Sequence, residues 1–348
     1  MANMSVKNQL ESSVSPEHRL NCLIDLHLHL DGSLSLKSAR MLAKLKGMEL
    51  PESDAKLRQM LQAPKNCGSL VSYLTKFDLP TALLDQADTV HLSVASLCEE
   101  LKEQGFIYAE IRFAPQKCCS SSLTQEEAVQ AAIQGLQDSH LNGQLILCCM
   151  RSGDDNTKEN LETVRLAGRY LHHGVCAVDL AGAEGLFPNE RYEDIFAYAS
   201  QQGVPFTIHA GEASGPQSIL SALNYGAKRI GHGVRAYENE EVMQRLIDQQ
   251  IPLELCPTSN INTGVFAKIS DEPIQTYLEK GMLITINSDN TAVSNTNTRK
   301  ELRHVRSAFH LNDSQMKQLL LNSVQAAFLE LQEKQALAQI INHEFAMQ

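Results

Sequence analysis

Tryptophan is absent from this chain of 348 residues, aromatic side chains make up only 5%, and basic residues are outnumbered, 30 Lys and Arg against 41 Asp and Glu. The net charge of −11 repels phosphate backbones and anionic lipid surfaces, so neither nucleic acid nor a membrane is expected as a partner. No stretch approaches the roughly 18 apolar residues of a membrane-spanning helix, and residues 1–22 lack the apolar core of a signal peptide, so a cytoplasmic location is expected. There is no C-x-x-C pair for a thiol zinc site or a redox motif. The nine cysteines, with Cys118-Cys119 and Cys148-Cys149 adjacent, are expected to be reduced, buried, small hydrophobes. What is present, 43% hydrophobic and 20% charged residues, suits a sizeable globular core.

Short apolar runs recur along the chain: LIDLHLH from Leu23, FIYAEIRF from Phe106, LILCCM from Leu145, VCAVDLAG from Val175, VPFTIHA from Val204, KRIGHG from Lys228, IPLELCP from Ile251 and MLITINSD from Met282. Their β-branched content and length predict buried strands, and the intervening stretches favour helix. Thr124 with Glu127 forms a capping box, and Asn142-Gly143 is a plausible stop. A second helix is expected over residues 156–171, ending at His172-His173-Gly174. Eight strands alternating with helices predict an α/β chain folded as a single (β/α)8 TIM barrel. No glycine-rich fingerprint follows the first strand to suggest an open dinucleotide-binding sheet. One domain is expected over residues 1–348, with an N-terminal extension over 1–20. A helical insertion over about 34–84, between strands 1 and 2, is expected to cover the barrel mouth, and helices follow Thr298.

Histidines stand where those strands end. His27 and His29, two residues apart, point to one face of the first strand. His209 ends the fifth strand, His232 the sixth and Asp289 the eighth, all at the end of a barrel where active sites are built. Polar groups buried there without partners would cost free energy, so their convergence points to a catalytic zinc centre of imidazole and carboxylate ligands, with an open position for water. His18, His91, His140, His304, His310 and His343 lie in helical or terminal contexts and read as structural or surface residues.

HLHLDGSLS from His27, DLAGAE from Asp179, HAGE from His209, GHG from Gly231 and INSDN from Ile286 resemble, in order and strand position, the signature segments of the adenosine deaminase family of the amidohydrolase superfamily. LTKFDLP from Leu74, AEIRFAP from Ala109, LCCMR from Leu147 and CPTSN from Cys256 extend the resemblance along nearly the whole chain. It implies that His27, His29, His209 and Asp289 hold one Zn2+ per chain, that Glu212 protonates purine N1, and that His232 orients or deprotonates the attacking water. It further implies a purine nucleoside as the small-molecule partner, with His29 beside it, the Gly182 N–H toward N3 and Asp31 toward the ribose hydroxyls. Leu70, Tyr73, Leu74 and Phe77, at helical spacing, are expected to form an apolar lid. Glu184 fits the DLAG segment, as a ligand contact or as support for the loop.

The chain departs from the family where two consecutive Asp and a Pro are usual, reading Asp289-Asn290-Thr291 instead. The Asn290 amide can still donate to an unprotonated N7. Tyr73 stands where Phe is common and brings a hydroxyl that needs a partner. The expected activity is zinc-dependent hydrolysis of adenosine and 2′-deoxyadenosine to inosine or deoxyinosine and ammonia. The alternatives are deamination of adenine or of a 5′-substituted adenine nucleoside such as aminodeoxyfutalosine, or a catalytically silent binding module. Cytidine-type zinc deaminases are excluded by the lack of their H-x-E and P-C-x-x-C segments. Oligomeric state is not encoded in any motif.

Overall fold

The computed structural model describes residues 20–64, 67 and 69–347; the N-terminal extension expected over 1–20 lies outside them, save for Leu20. Eight strands form at the eight apolar runs: β1 (Leu23–His29), β2 (Phe106–Phe113), β3 (Gly143–Met150), β4 (Val175–Ala181), β5 (Thr207–Ala210), β6 (Arg229–His232), β7 (Leu253–Leu255) and β8 (Ile284–Ile286). All pairings are parallel, in the order β1-β2-β3-β4 and β5-β6-β7-β8. Two seams join these halves into a barrel. Val178 pairs with Phe206 between β4 and β5, and Leu28 pairs with Asp289 just beyond β8. At the second seam the His29 N–H donates to the Asp289 carbonyl and the Asp289 N–H to the His27 carbonyl, both at 2.8 Å. Barrel closure and the placement of the candidate ligands are therefore one set of hydrogen bonds.

Helices follow the strands as expected. Gln125–Ser139 begins with the Thr124–Glu127 capping box but ends at His140, which takes a left-handed φ of 55°, and not at Asn142-Gly143. Gly143 already pairs with Ala109 in the sheet, so no further helical turn fits. The helix expected over 156–171 spans Thr157–Arg169, because Leu171 bridges to Val175. After β8 come Thr298–Phe309, Asp313–Ala326 and Leu331–Ala346.

The connection from β1 to β2 carries helices Leu36–Lys46, Asp54–Leu61, Leu70–Leu74 and Asp78–Leu83 ahead of the long helix Ala87–Glu103. Its middle docks on the loop after β8: the Ala63 N–H donates to the Val293 carbonyl at 2.9 Å, and Ala63, Tyr73 and Val293 form a separate apolar cluster with Leu70 and Phe77 packed on it. The Tyr73 hydroxyl finds its partner there, 2.6 Å from Ser294 Oγ. All nine cysteines are free; seven are buried as expected, whereas Cys67 is half-buried and Cys119 is exposed. No described helix is long and apolar enough to cross a membrane.

Candidate active site

The barrel mouth opens into a cavity of about 610 Å³, within the range of roughly 300–1,000 Å³ usual for small-molecule sites. Its wall includes His29, Asp31, Gly182, His209, Glu212, His232, Asp289 and Asn290, with Leu70, Tyr73, Leu74 and Phe77 over them. Of the residues given metal, catalytic or substrate roles from the sequence, His27 alone does not line this cavity. It lies fully buried beneath it, its ring centroid 4.5 Å from that of His209 and 5.0 Å from that of His232.

Four atoms converge on one point. The Nε2 atoms of His27 and His29 lie 3.1 and 3.3 Å from His209 Nε2, and 3.5 and 3.4 Å from Asp289 Oδ1. A tetrahedron with metal–ligand bonds of about 2.0–2.1 Å has edges of about 3.3–3.4 Å, close to these four separations. Two overlapping groups among the described residues could hold a metal ion, His27 with His209, His232 and Asp289, and His29 with Asp179 and His209. Burial pushes the His209 imidazole down to about 4 and His29 well below its ordinary range, leaving both neutral with lone pairs to donate. Burial opposes ionisation of Asp289, yet the hydrogen bond to His27 and the surrounding imidazoles hold its carboxyl well below the usual range.

The opposite ring nitrogens are tied to groups that the sequence reading missed. His27 Nδ1 lies 2.7 Å from Glu254 Oε2, and His209 Nδ1 lies 2.9 Å from Asp179 Oδ2. These carboxylates fix the tautomers that turn each Nε2 inward and raise ligand basicity. Arg112, wholly buried, donates to both, Nη1 to Asp179 at 3.1 Å and Nη2 to Glu254 at 2.9 Å. Arg229 holds the other Glu254 oxygen at 2.6 Å. Each buried charge thus has partners, the condition under which such a network is tolerated. The signal was available as charged residues inside apolar strands, but their pairing is set across strands distant in the chain.

Glu212 stands on the turn leaving β5, 4% exposed, with Thr263 Oγ1 3.2 Å from Oε1 and His232 Nε2 3.8 Å from Oε2. Burial raises its carboxyl above the ordinary value, against the lowering influence of His232. Glu184 supports the loop: its two oxygens accept the N–H groups of Gly211, Glu212, Ala213 and Ser214 at 2.7–3.1 Å and the Ser218 hydroxyl at 2.5 Å. His232 and Asp289 are non-glycine residues at left-handed φ of 58° and 59°, a conformation that costs about 1–3 kcal/mol and concentrates at functional sites.

Gly182, at φ 105°, turns the chain after β4 where a Cβ would come within 3.2 Å of the Arg151 side chain. Burial raises Asp31 to about 6, while its Oδ1 accepts the Gly32 N–H at 3.1 Å. Asn290 is 3% exposed, and a Cβ on Gly32 would stand 1.8 Å from its Oδ1. The amide oxygen is therefore turned against Gly32 and the NH2 group away from it.

A parallel barrel with imidazoles and carboxylates gathered at the C-terminal ends of its strands has the architecture of the amidohydrolase superfamily. The family model described as adenosine deaminase matches residues 22–344, and the chain belongs to that family. It is 48% identical to an adenosine deaminase of Haemophilus ducreyi, over 93% of this chain and 96% of that protein. It is 35% identical to one of Enterococcus faecalis, over 92% and 96%. Among solved structures it resembles the adenine deaminase of Arthrobacter aurescens, with 26% identity, a TM-score of 0.83 and coverage of 92% and 98%. An Arabidopsis N6-mAMP deaminase gives 26% identity, a TM-score of 0.80 and coverage of 93% and 98%.

Proposed function

We propose that this chain catalyses zinc-dependent hydrolytic deamination of adenosine and 2′-deoxyadenosine, giving inosine or deoxyinosine and ammonia. The observation that carries the reading is the close approach of His27 and His29 to both His209 and Asp289, at 3.1–3.5 Å, at the floor of a cavity that also holds Glu212 and His232. The donor set of three imidazole nitrogens and one carboxylate suits one zinc ion without thiolates. When bound, the ion supplies Lewis acidity that brings the pKa of water from about 15.7 to about 7.

The chain's own residues then divide the work. The apolar side chains of Leu70, Leu74 and Phe77 cover the purine and exclude bulk water, while Gly182 and Asn290 fix the ring through N3 and N7. Glu212, whose neutral form burial favours, gives its proton to N1 as the water oxygen bonds to C6, so that negative charge does not build on the ring. His232 takes a proton from the attacking water at Nε2. Ammonia leaves C6 with that proton, the remaining hydroxyl proton passes to Glu212, and the C6 carbonyl of inosine forms. Asp31, with a carboxyl at the sugar end, favours a nucleoside over free adenine. The substrate is a small molecule, and we place its turnover in the cytoplasm.

The test follows the ultraviolet change from adenosine to inosine with purified protein, before and after metal stripping, and with Glu212→Gln. Conversion in the parent that is lost in both other samples supports the reading. One bound metal per chain with adenosine untouched, while another amino-purine turns over, would replace the substrate; no turnover of any amino-purine would leave a binding module.

A further inference from the structure

His232 depends on an amide, and the amide has two faces. Its Nδ1 lies 3.0 Å from Asn260 Oδ1. An amide oxygen only accepts, so in this arrangement Nδ1 carries the proton and Nε2, directed toward Glu212, keeps the lone pair that a base needs. Turned by half a rotation, the Asn260 NH2 would face Nδ1 and select the opposite tautomer, with Nε2 protonated and useless as a base. Oxygen and nitrogen of an amide are nearly equal in size, so packing alone discriminates little between the two orientations.

The far side of that amide meets an unusual group. Among the described residues, Asn260 Nδ2 and both carboxyl oxygens of Glu272 are buried and close no hydrogen bond, and Asn260 is the side chain whose amide stands near enough to act on the Glu272 carboxyl. Asn260 and Glu272 are 0% and 3% exposed. They come from separate elements, the short helix Pro257–Asn262 after β7 and the residue preceding Pro273 and helix Ile274–Glu279.

We propose that Glu272 is a positioning residue: its carboxyl accepts from Asn260 Nδ2, holds the amide oxygen toward His232, and so fixes the Nδ1-protonated tautomer of the base. Burial, and after it the nearby Glu301, push the Glu272 carboxyl up to about 8. A neutral acid still presents its carbonyl oxygen to Asn260 while avoiding the cost of a buried charge. Glutamine therefore reproduces the interaction and leucine removes it.

The inference rests on His232 being the base, and its test reads the tautomer independently of turnover. Nitrogen-15 NMR of metal-free protein, with the His232 signals assigned by loss in His232→Gln, is expected to show Nδ1 protonated in the parent and in Glu272→Gln, and a mixed or inverted tautomer in Glu272→Leu. In zinc-loaded protein Glu272→Leu is expected to lose about 10–100-fold in kcat with KM unchanged, the size of effect usual for groups that orient a catalytic ligand, and Glu272→Gln to recover it. A parent His232 protonated at Nε2 overturns the proposal without any variant, as does an unchanged tautomer in Glu272→Leu. The expected tautomers without adenosine turnover would uphold this inference while overturning the proposed reaction.

Discussion

Glu184 accepts the backbone N–H of Glu212 at 3.1 Å, and the same carboxylate gathers the N–H groups on either side of it. One buried acid thereby shapes the turn that presents another. Four convergent N–H donors make an anion nest, which needs no cation to satisfy it.

Replacing Glu184 by Ala leaves those donors in a buried turn without their acceptor. A loss of about 3 kcal/mol in stability is expected, together with a lower kcat as Glu212 loses its position. Denaturant midpoints and steady-state kinetics on one preparation check both, and unchanged kcat would show that the turn holds its shape without Glu184.

In the proposed reaction the raised carboxyl of Glu212 sets an alkaline limit. An acid that donates a proton works below its pKa and fails above it, and burial moves that limit upward from the ordinary glutamate value of about 4.3. The kcat profile is therefore expected to fall as pH rises through the raised value, and Thr263→Val, which removes a hydrogen bond favouring the ionised form, to shift that limb to higher pH.

Removing metal is expected to cost stability as well as activity. At a thousandfold excess over its dissociation constant a zinc ion stabilises the folded chain by about 4 kcal/mol, so chelation should lower the melting temperature. Asp289→Ala, which deletes one of the proposed ligands, is expected to bind less than one equivalent by elemental analysis. A full equivalent with normal affinity would argue against Asp289 as a ligand.

Asn290 is expected to sense purine N7. The parent should discriminate against 7-deazaadenosine, and Asn290→Leu should lose that discrimination while its KM for adenosine rises about tenfold, the loss of one hydrogen bond of about 1.4 kcal/mol. Gly32→Ala should mimic it, because the new methyl group would collide with Asn290 Oδ1.

Much of this molecule is legible in its sequence for local reasons. Strand positions follow from apolar runs, the Thr124–Glu127 cap from residues three apart, and the shared direction of His27 and His29 from the two-residue repeat of a strand. The end of that capped helix was misplaced by three residues because left-handed His140 closes it where a glycine was expected.

The sequence by itself determined the barrel and which groups are candidates to bind metal or move protons, since residue type and spacing along one strand carry that information. Only the tertiary structure decided what each group leans on. Glu254 meets His27 across 227 residues of chain, Tyr73 meets Ser294 across 221, and Glu184 turns out to serve a loop 27–30 residues away. Such pairings depend on strand order, barrel closure and the docking of the β1–β2 insertion on the loop after β8, which no local pattern specifies. The physical reason is that a buried charge or amide is defined by its partners, and those partners are brought together only when the sheet closes on itself.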